Sequence, residues 1–185
     1  MVGNYIEIFE NAKRFETEKL ILRKATLEDT EDLFEYGTDK RTLEHLIWEG
    51  HSHIEQVEAG IKMFYINPGV FVVELKEEGK VIGAMDMRPV WEHEKMNFGY
   101  GLISDYWGKG YMSEALKALV DFCFNELQMN RVECSHYVGN EGSGRVMEKC
   151  GMVKEGVCIQ NSKVKGRFVD EVFYAATKEQ WEKRK

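Results

Sequence analysis

The stretch Asp105-Tyr106-Trp107-Gly108-Lys109-Gly110-Tyr111 constrains this chain more than any other. The apolar run Phe98-Gly99-Tyr100-Gly101-Leu102-Ile103 precedes it and a long periodic segment begins near Met112, so the expected order is strand, glycine-rich turn, helix. In that segment Met112, Ala115, Leu116, Leu119, Cys123 and Leu127 fall at steps of 3, 1, 3, 4 and 4, a single apolar stripe. Ser113, Glu114, Lys117, Asp121 and Asn125 take the other face. A turn in that setting can aim successive backbone N–H groups and the positive end of a helix at a phosphate. Glycine is needed wherever backbone lies against a ligand with no Cβ between them. The working expectation is a loop for the pyrophosphate of a nucleotide-like cofactor, with a plain tight turn as the alternative. A P-loop is excluded, because its Gly-x-x-x-x-Gly-Lys-Ser/Thr spacing is absent. A dinucleotide fingerprint begins at Gly99-Tyr100-Gly101 but has Ser104 where its third glycine belongs.

The totals narrow the setting. A chain of 185 residues suits one domain, 1–185, with a sizeable core. No apolar run approaches the ~20 residues that span a bilayer, and the start Met1-Val2-Gly3-Asn4-Tyr5-Ile6-Glu7 lacks the pattern of a signal peptide. The cytoplasm is the default location, with no membrane partner. Cys123, Cys134, Cys150 and Cys158 form no Cys-x-x-Cys pair, and His51 and His53 have no nearby cysteine, so reduced thiols and no metal are expected. The formal charge of −7 argues against a nucleic-acid partner and suits a cationic acceptor such as an amine or basic peptide.

Along the chain, residues 1–17 show no clear period and read as an N-terminal extension. Leu20-Ile21-Leu22 reads as a strand, Thr26-Leu27-Glu28-Asp29 as a capping box, and Leu27, Leu33, Phe34 and Tyr36 as a short amphipathic helix. Residues 38–67 read as helix in two pieces broken near Gly50 and stopped by Asn67-Pro68-Gly69. Strands are expected at 70–75, 81–87, 95–103 and 131–138, then a helix at 140–149 stopped by Gly151. Two further strands at about 152–159 and 168–176 are joined by a turn around Lys163–Gly166, and 177–185 reads as a frayed surface helix forming a C-terminal tail. The class is α+β: one mainly antiparallel sheet of about seven strands flanked by helices.

The run Asp105 to Ala115 closely resembles the acyl-CoA loop of Gcn5-related N-acetyltransferases (GNAT), in particular the ribosomal-protein alanine N-acetyltransferase branch. Three further blocks agree in the expected order: Glu16 to Arg23, Asn140-x-x-Ser143 with Glu148-Lys149-x-Gly151-Met152, and Lys154-Glu155-Gly156 with Gly166 to Asp170. The resemblance implies acetyl-CoA as co-substrate, an amine acceptor as partner, and central strands splayed to admit the pantetheine as an extra strand would lie. It implies that Gly108, Lys109, Gly110, Tyr111, Met112 and Ser113 meet the pyrophosphate. A backbone amide at Leu102 or Ile103 would polarise the thioester carbonyl, and Asn140 and Ser143 would sit beside the pantetheine and its sulfur. Asn140 also suits a helix N-cap, and the two roles are compatible. A homodimer is one option for assembly.

Two positions depart from the family pattern. The usual glutamate base two residues before the central glycine is here Asn97, and the usual tyrosine acid is here Met147. An α-amine with pKa near ~7.7–8.0 is roughly a quarter neutral at about pH 7.4, whereas a lysine amine near ~10.4 is neutral about one time in a thousand. A site without a strong base therefore favours a protein N-terminal α-amine. The alternatives are a small amine such as a polyamine, antibiotic or amino-acid derivative, and a non-catalytic acyl-CoA-binding module. The candidate acid is Ser143 and the candidate base His136, working with Asn97 through water; the ordinary reading of His136 is a half-buried strand histidine. Glu94 and Asp86 are further base candidates whose facing the sequence does not reveal. Trp48, His51, His53, Trp91 and Tyr100 are candidates to line the acceptor pocket, Tyr100 foremost, although core is the commoner fate of aromatic residues.

Overall fold

Eight strands join into one sheet ordered β1-β2-β3-β4-β5-β6-β8-β7 in a computed structural model that describes residues 2–184. They are β1 (Arg14–Glu16), β2 (Leu20–Arg23), β3 (Val70–Leu75), β4 (Lys80–Val90), β5 (Lys95–Leu102), β6 (Arg131–Tyr137), β7 (Val153–Val164) and β8 (Arg167–Thr177). Every neighbouring pair is antiparallel except β5 and β6, which run parallel. The helices are α1 (Val2–Asn11), α2 (Thr30–Thr38), α3 (Lys40–Leu43), α4 (Ile54–Gly60), α5 (Tyr111–Asn125), α6 (Glu141–Lys149) and α7 (Lys178–Glu182).

Helix α5 forms where its stripe predicts: Met112, Ala115, Leu116, Leu119 and Cys123 are all buried, as is Phe124, while the last stripe residue, Leu127, is buried just beyond the helix end at Asn125. They pack on one sheet face against Met85, Met87, Met96, Phe98, Val132 and Val172. On the opposite face α2, α4 and the turn that follows α4 bring Leu33, Tyr36, Val57 and Ile61 against Val72, Val81 and Ile103, a smaller second core. Between them Asp29 bridges sheet and helix. Its carboxylate accepts from both Nη atoms of Arg23 at 2.7 Å and from the Thr26 N–H at 2.7 Å.

Both chain ends are more ordered than their sequences suggest. Residues 2–17 carry α1 and the edge strand β1, which makes the strand count among the described residues eight rather than about seven. Phe15 packs edge-on to Phe71 and Phe122 at 5.4 and 4.9 Å, so a three-residue strand is held by its aromatic side chain rather than by any period. At the other end α7 is no frayed tail: Trp181 is buried against Phe124, 5.6 Å between ring centres. The break near Gly50 is present, but the first piece shortens to the single turn of α3 and the second continues from α4 into a wide turn, Ile61–Tyr65. Ile54 and Phe64 of the second piece are exposed; Val57 and Ile61 carry its burial. Strand β7 runs beyond Ile159 to Val164 because its register shifts between Cys158 and Ser162 absorb the extra residues.

Candidate active site

Strands β5 and β6 pair only at Lys95–Arg131, Met96–Val132 and Asn97–Glu133. Beyond that point β5 stays with β4 as far as Leu102, and β6 stays with β8 as far as Tyr137, so the two part and leave an opening through the sheet. Successive residues of a strand aim their backbone groups to opposite sides. Ile103 donates to the Ile82 carbonyl at 2.9 Å, which sets the alternation. The N–H groups of 101 and 103 serve β4, and those of 98, 100 and 102 face the opening. Of the two amides expected as carbonyl donors, Ile103 is therefore engaged inside the sheet and Leu102 faces the gap. The Leu102 carbonyl accepts from Thr42 Oγ1 at 2.7 Å and Trp107 Nε1 at 2.8 Å, so this peptide segment is firmly held.

The glycine turn closes one end of the opening. Gly108 and Gly110 have φ of +76° and +87°, and a Cβ built on either meets nothing within 4 Å. Backbone conformation, not crowding, demands glycine there. The N–H groups of residues 108–113 find no acceptor among the described residues, the first being Glu114 N–H to the Gly110 carbonyl at 3.0 Å. A row of unanswered donors at the positive end of a fifteen-residue helix is an anion cradle. Arg145 and Lys149, one turn apart on α6, line the same cavity and add cationic charge. Lys109 lies outside the lining, its Nζ 4.9 Å from the Tyr106 ring centre.

The cavity, about 1160 Å³, passes through the gap and so has two sides. Register assigns residues to each. On the face covered by α6 are Tyr100 (opposite Met85), Cys134 (opposite Tyr174) and His136 (opposite Val172). Tyr100 Oη reaches across and donates to the Ser143 carbonyl at 3.1 Å, and burial holds its phenol well above the usual range. His136 is buried, with Nδ1 2.9 Å from the Tyr137 carbonyl and Nε2 where a side chain on Gly144 would go. Asn140 caps α6 by accepting from the Ser143 N–H at 3.3 Å. Tyr100, Leu102, Gly108, Gly110, Tyr111, Met112, Ser113, His136, Asn140 and Ser143 all line the cavity.

On the opposite face lie Asp86, Gly99, Ser135, Tyr137 and Glu171. Asn97 is on this face too, but it sits where β5 and β6 are still joined, with Nδ2 3.5 Å from the Arg88 carbonyl, and lies outside the cavity lining. The expected partnership of His136 with Asn97 is thus corrected: the sheet separates them. Met147 is fully buried in the core, and Glu94 stands at a left-handed turn outside the cavity. Asp86 does line it. Because Gly99, its cross-strand partner, has no side chain, the carboxylate lies where a Gly99 Cβ would come within 2.8 Å of Oδ2. Burial raises the Asp86 carboxyl above the usual range, with the Arg88 charge offsetting part of the rise. Arg88 Nε lies 2.9 Å from Oδ1, but without hydrogen-bonding alignment, and that buried oxygen has no hydrogen-bond partner among the described residues. Trp48 and His51 line this side; His53 and Trp91 do not, the Trp91 ring packing on Phe9 at 5.7 Å.

A family profile described as an acetyltransferase (GNAT) domain matches residues 19–153. The chain belongs to the GNAT family. Among relatives of this GNAT chain, an uncharacterised N-acetyltransferase, p20, of Bacillus licheniformis is 30% identical over 173 residues, covering 89% of this chain and 96% of that one. The [ribosomal protein uS5]-alanine N-acetyltransferase of Escherichia coli is 25% identical over 179 residues, covering 91% and 92%. A GNAT-family acetyltransferase structure from Bacillus anthracis superposes with a TM-score of 0.81 at 27% identity, over 90% of this chain and 99% of that one. The protein is thus an acyltransferase enzyme of a family whose co-substrate is acetyl-CoA. The unanswered N–H groups of 108–113, the cations on α6 and the open edge of β5 fit such a co-substrate.

Sequence reasoning passed over Arg145, Lys149 and Glu171. The first two carry a readable signal, the i, i+4 spacing of two cations on the helix after Asn140. Glu171 carries none, since its facing follows from pairing with Tyr137, far away in sequence.

Proposed function

We propose that this GNAT enzyme transfers acetyl from acetyl-CoA to the α-amine at a protein N-terminus, with Asp86 as the group that takes the amine proton. The observation carrying this reading is the cavity through the sheet, with donors for phosphate at one end and a half-buried, proton-seeking carboxylate at the other. Acetyl-CoA supplies the acetyl group as a thioester. The residues of the glycine turn and α5 start (108–113) hold the pyrophosphate, with Lys109 contributing through its backbone alone. The Leu102 N–H faces the thioester oxygen and stabilises the charge that grows there. Asn140 holds the first turn of α6, and Ser143 lies beside the departing sulfur, where its hydroxyl relays a proton from solvent to the thiolate. His136 and Tyr100 line the pantetheine side and keep it dry and narrow, and Asn97 supports the strand junction below the gap. A carboxylate, even one raised by burial, is a modest base, which suits an α-amine that is already substantially neutral near pH 7.4. The similarity to a [ribosomal protein uS5]-alanine N-acetyltransferase supports a protein acceptor.

A small amine is the second reading. It is favoured by the bond from Lys165 Nζ to the Leu43 carbonyl at 2.6 Å, which ties the β7–β8 hairpin to α3 near the acceptor side. Thiol release measured over a panel of N-terminal peptides and free amines separates the two. Peptide-dependent release that disappears when the N-terminus is blocked is the expected result. Release with free amines alone overturns the peptide assignment.

A further inference from the structure

Two carboxylates are buried among the described residues, Asp29 and Glu171. Asp29 is answered by Arg23, whereas Glu171 has no Lys, Arg or His within ion-pairing distance among the described residues. Its oxygens accept instead from two hydroxyls, Ser135 Oγ to Oε2 at 3.0 Å and Ser162 Oγ to Oε1. Neutral donors orient a carboxylate but leave its charge uncompensated, and each oxygen keeps further acceptor capacity. Glu171, Ser135 and Ser162 all line the cavity. The pairing of Glu171 with Tyr137 puts it on the same face as Asp86 but across the opening, one strand beyond β6. With strands about 4.8 Å apart, that is roughly 5–10 Å from the mouth of the gap.

We infer that Glu171, oriented by Ser135 and Ser162, binds a second cationic group of the acceptor, an ammonium or guanidinium at that distance from the reacting amine. It thereby selects N-termini followed by a basic residue. This rests on the acceptor face assigned under the proposed function, and it deepens that reading from "an amine" to "an amine with a second positive charge". The protein's own charge of −7 favours the approach of such acceptors over long range.

The test compares kcat/KM for three peptides with an N-terminal alanine followed by lysine, norleucine or glutamate, alongside 1,4-diaminobutane against 1-aminobutane. Wild type is expected to prefer lysine over norleucine about ten-fold or more, the effect of one charged hydrogen bond. In Glu171→Gln, which retains acceptor and donor groups for both serines, that ratio falls to about one. Glu171→Asp keeps the charge one methylene further back and retains part of the ratio. Calorimetry of Ala-Lys and Ala-norleucine amides with the CoA-loaded protein reads the same preference without turnover. Equal binding of the two amides, or a lysine preference undiminished in Glu171→Gln, overturns the inference. A Glu171-dependent binding preference without any thiol release from peptides supports the cation site while overturning the peptide acetylation reading. A larger ratio for the diamine pair keeps the site and assigns its second charge to a free diamine.

Discussion

Replacing Gly110 by alanine separates two properties that the glycine turn combines. With φ of +87°, residue 110 lies in a region that costs an L-residue about 1–2 kcal/mol. The added Cβ meets no protein atom within 4 Å, so no steric cost accompanies the strain. For a chain of this size about 1 kcal/mol moves Tm by roughly 2–4 °C, so a fall of about 2–8 °C is expected. Binding should suffer more. Residue 110 lies within the row of unanswered N–H groups at 108–113, and losing one of their bonds to a phosphate oxygen is worth about 1.5–3 kcal/mol, a ten- to hundred-fold loss of affinity. The control is acetyl-pantetheine, which carries the thioester and lacks the pyrophosphate. Titration calorimetry should show weakened acetyl-CoA binding and unchanged acetyl-pantetheine binding in the variant. Equal weakening of both ligands, or of neither, would refute the pyrophosphate assignment.

Three further outcomes follow from the geometry. Asp86→Asn should lower kcat by ten-fold or more in thiol-release assays while raising the melting temperature near neutral pH. A carboxyl whose folded pKa is raised adds stability only at low pH and loses it as pH climbs through that pKa, so the gain from asparagine should vanish below the ordinary aspartate range. Asp29→Asn should cost about 1.5–3 kcal/mol in urea unfolding at neutral pH, because Arg23 loses one of its two carboxylates and keeps Glu74 at 2.5 Å. Burial alone would raise the Asp29 carboxyl, but Arg23 and Thr26 outweigh it and hold it below the usual range, so the wild-type advantage should shrink as pH falls through that lowered pKa. Trp181→Ala should cost about 3–5 kcal/mol without changing acetyl-CoA affinity; no loss of stability would mean that α7 is the loose tail its sequence suggests.

What is legible in the sequence is whatever rests on local period. The stripe of α5, the strands at 70–75 and 131–138, and the glycine turn are each visible because neighbouring residues report on one another. What is not legible is set by pairing between distant segments. His136 reads as the candidate base ahead of Asp86 until register puts Asp86 opposite Gly99 and His136 under α6. Tyr100 reads as an acceptor contact, but its strand position turns it to the α6 side, where its hydroxyl holds the Ser143 carbonyl. Strand β1 is similarly hidden, since three residues make no pattern and one phenylalanine between two others fixes it.

The bare backbone at Gly99 and Gly101 also bears on how such an enzyme changes over time. A Cβ on Gly101 would stand 2.4 Å from Tyr36 Oη, and one on Gly99 would press on Asp86, so neither position can carry a side chain that varies the chamber floor. The variable surfaces are the walls, contributed by Thr42 to Tyr65 on one side and by Asn161, Ser162 and Glu171 on the other. Those wall segments lie outside β4, β5 and the start of α5. New acceptor preferences can therefore arise by substitution in the walls while the floor that positions the acyl group is inherited intact.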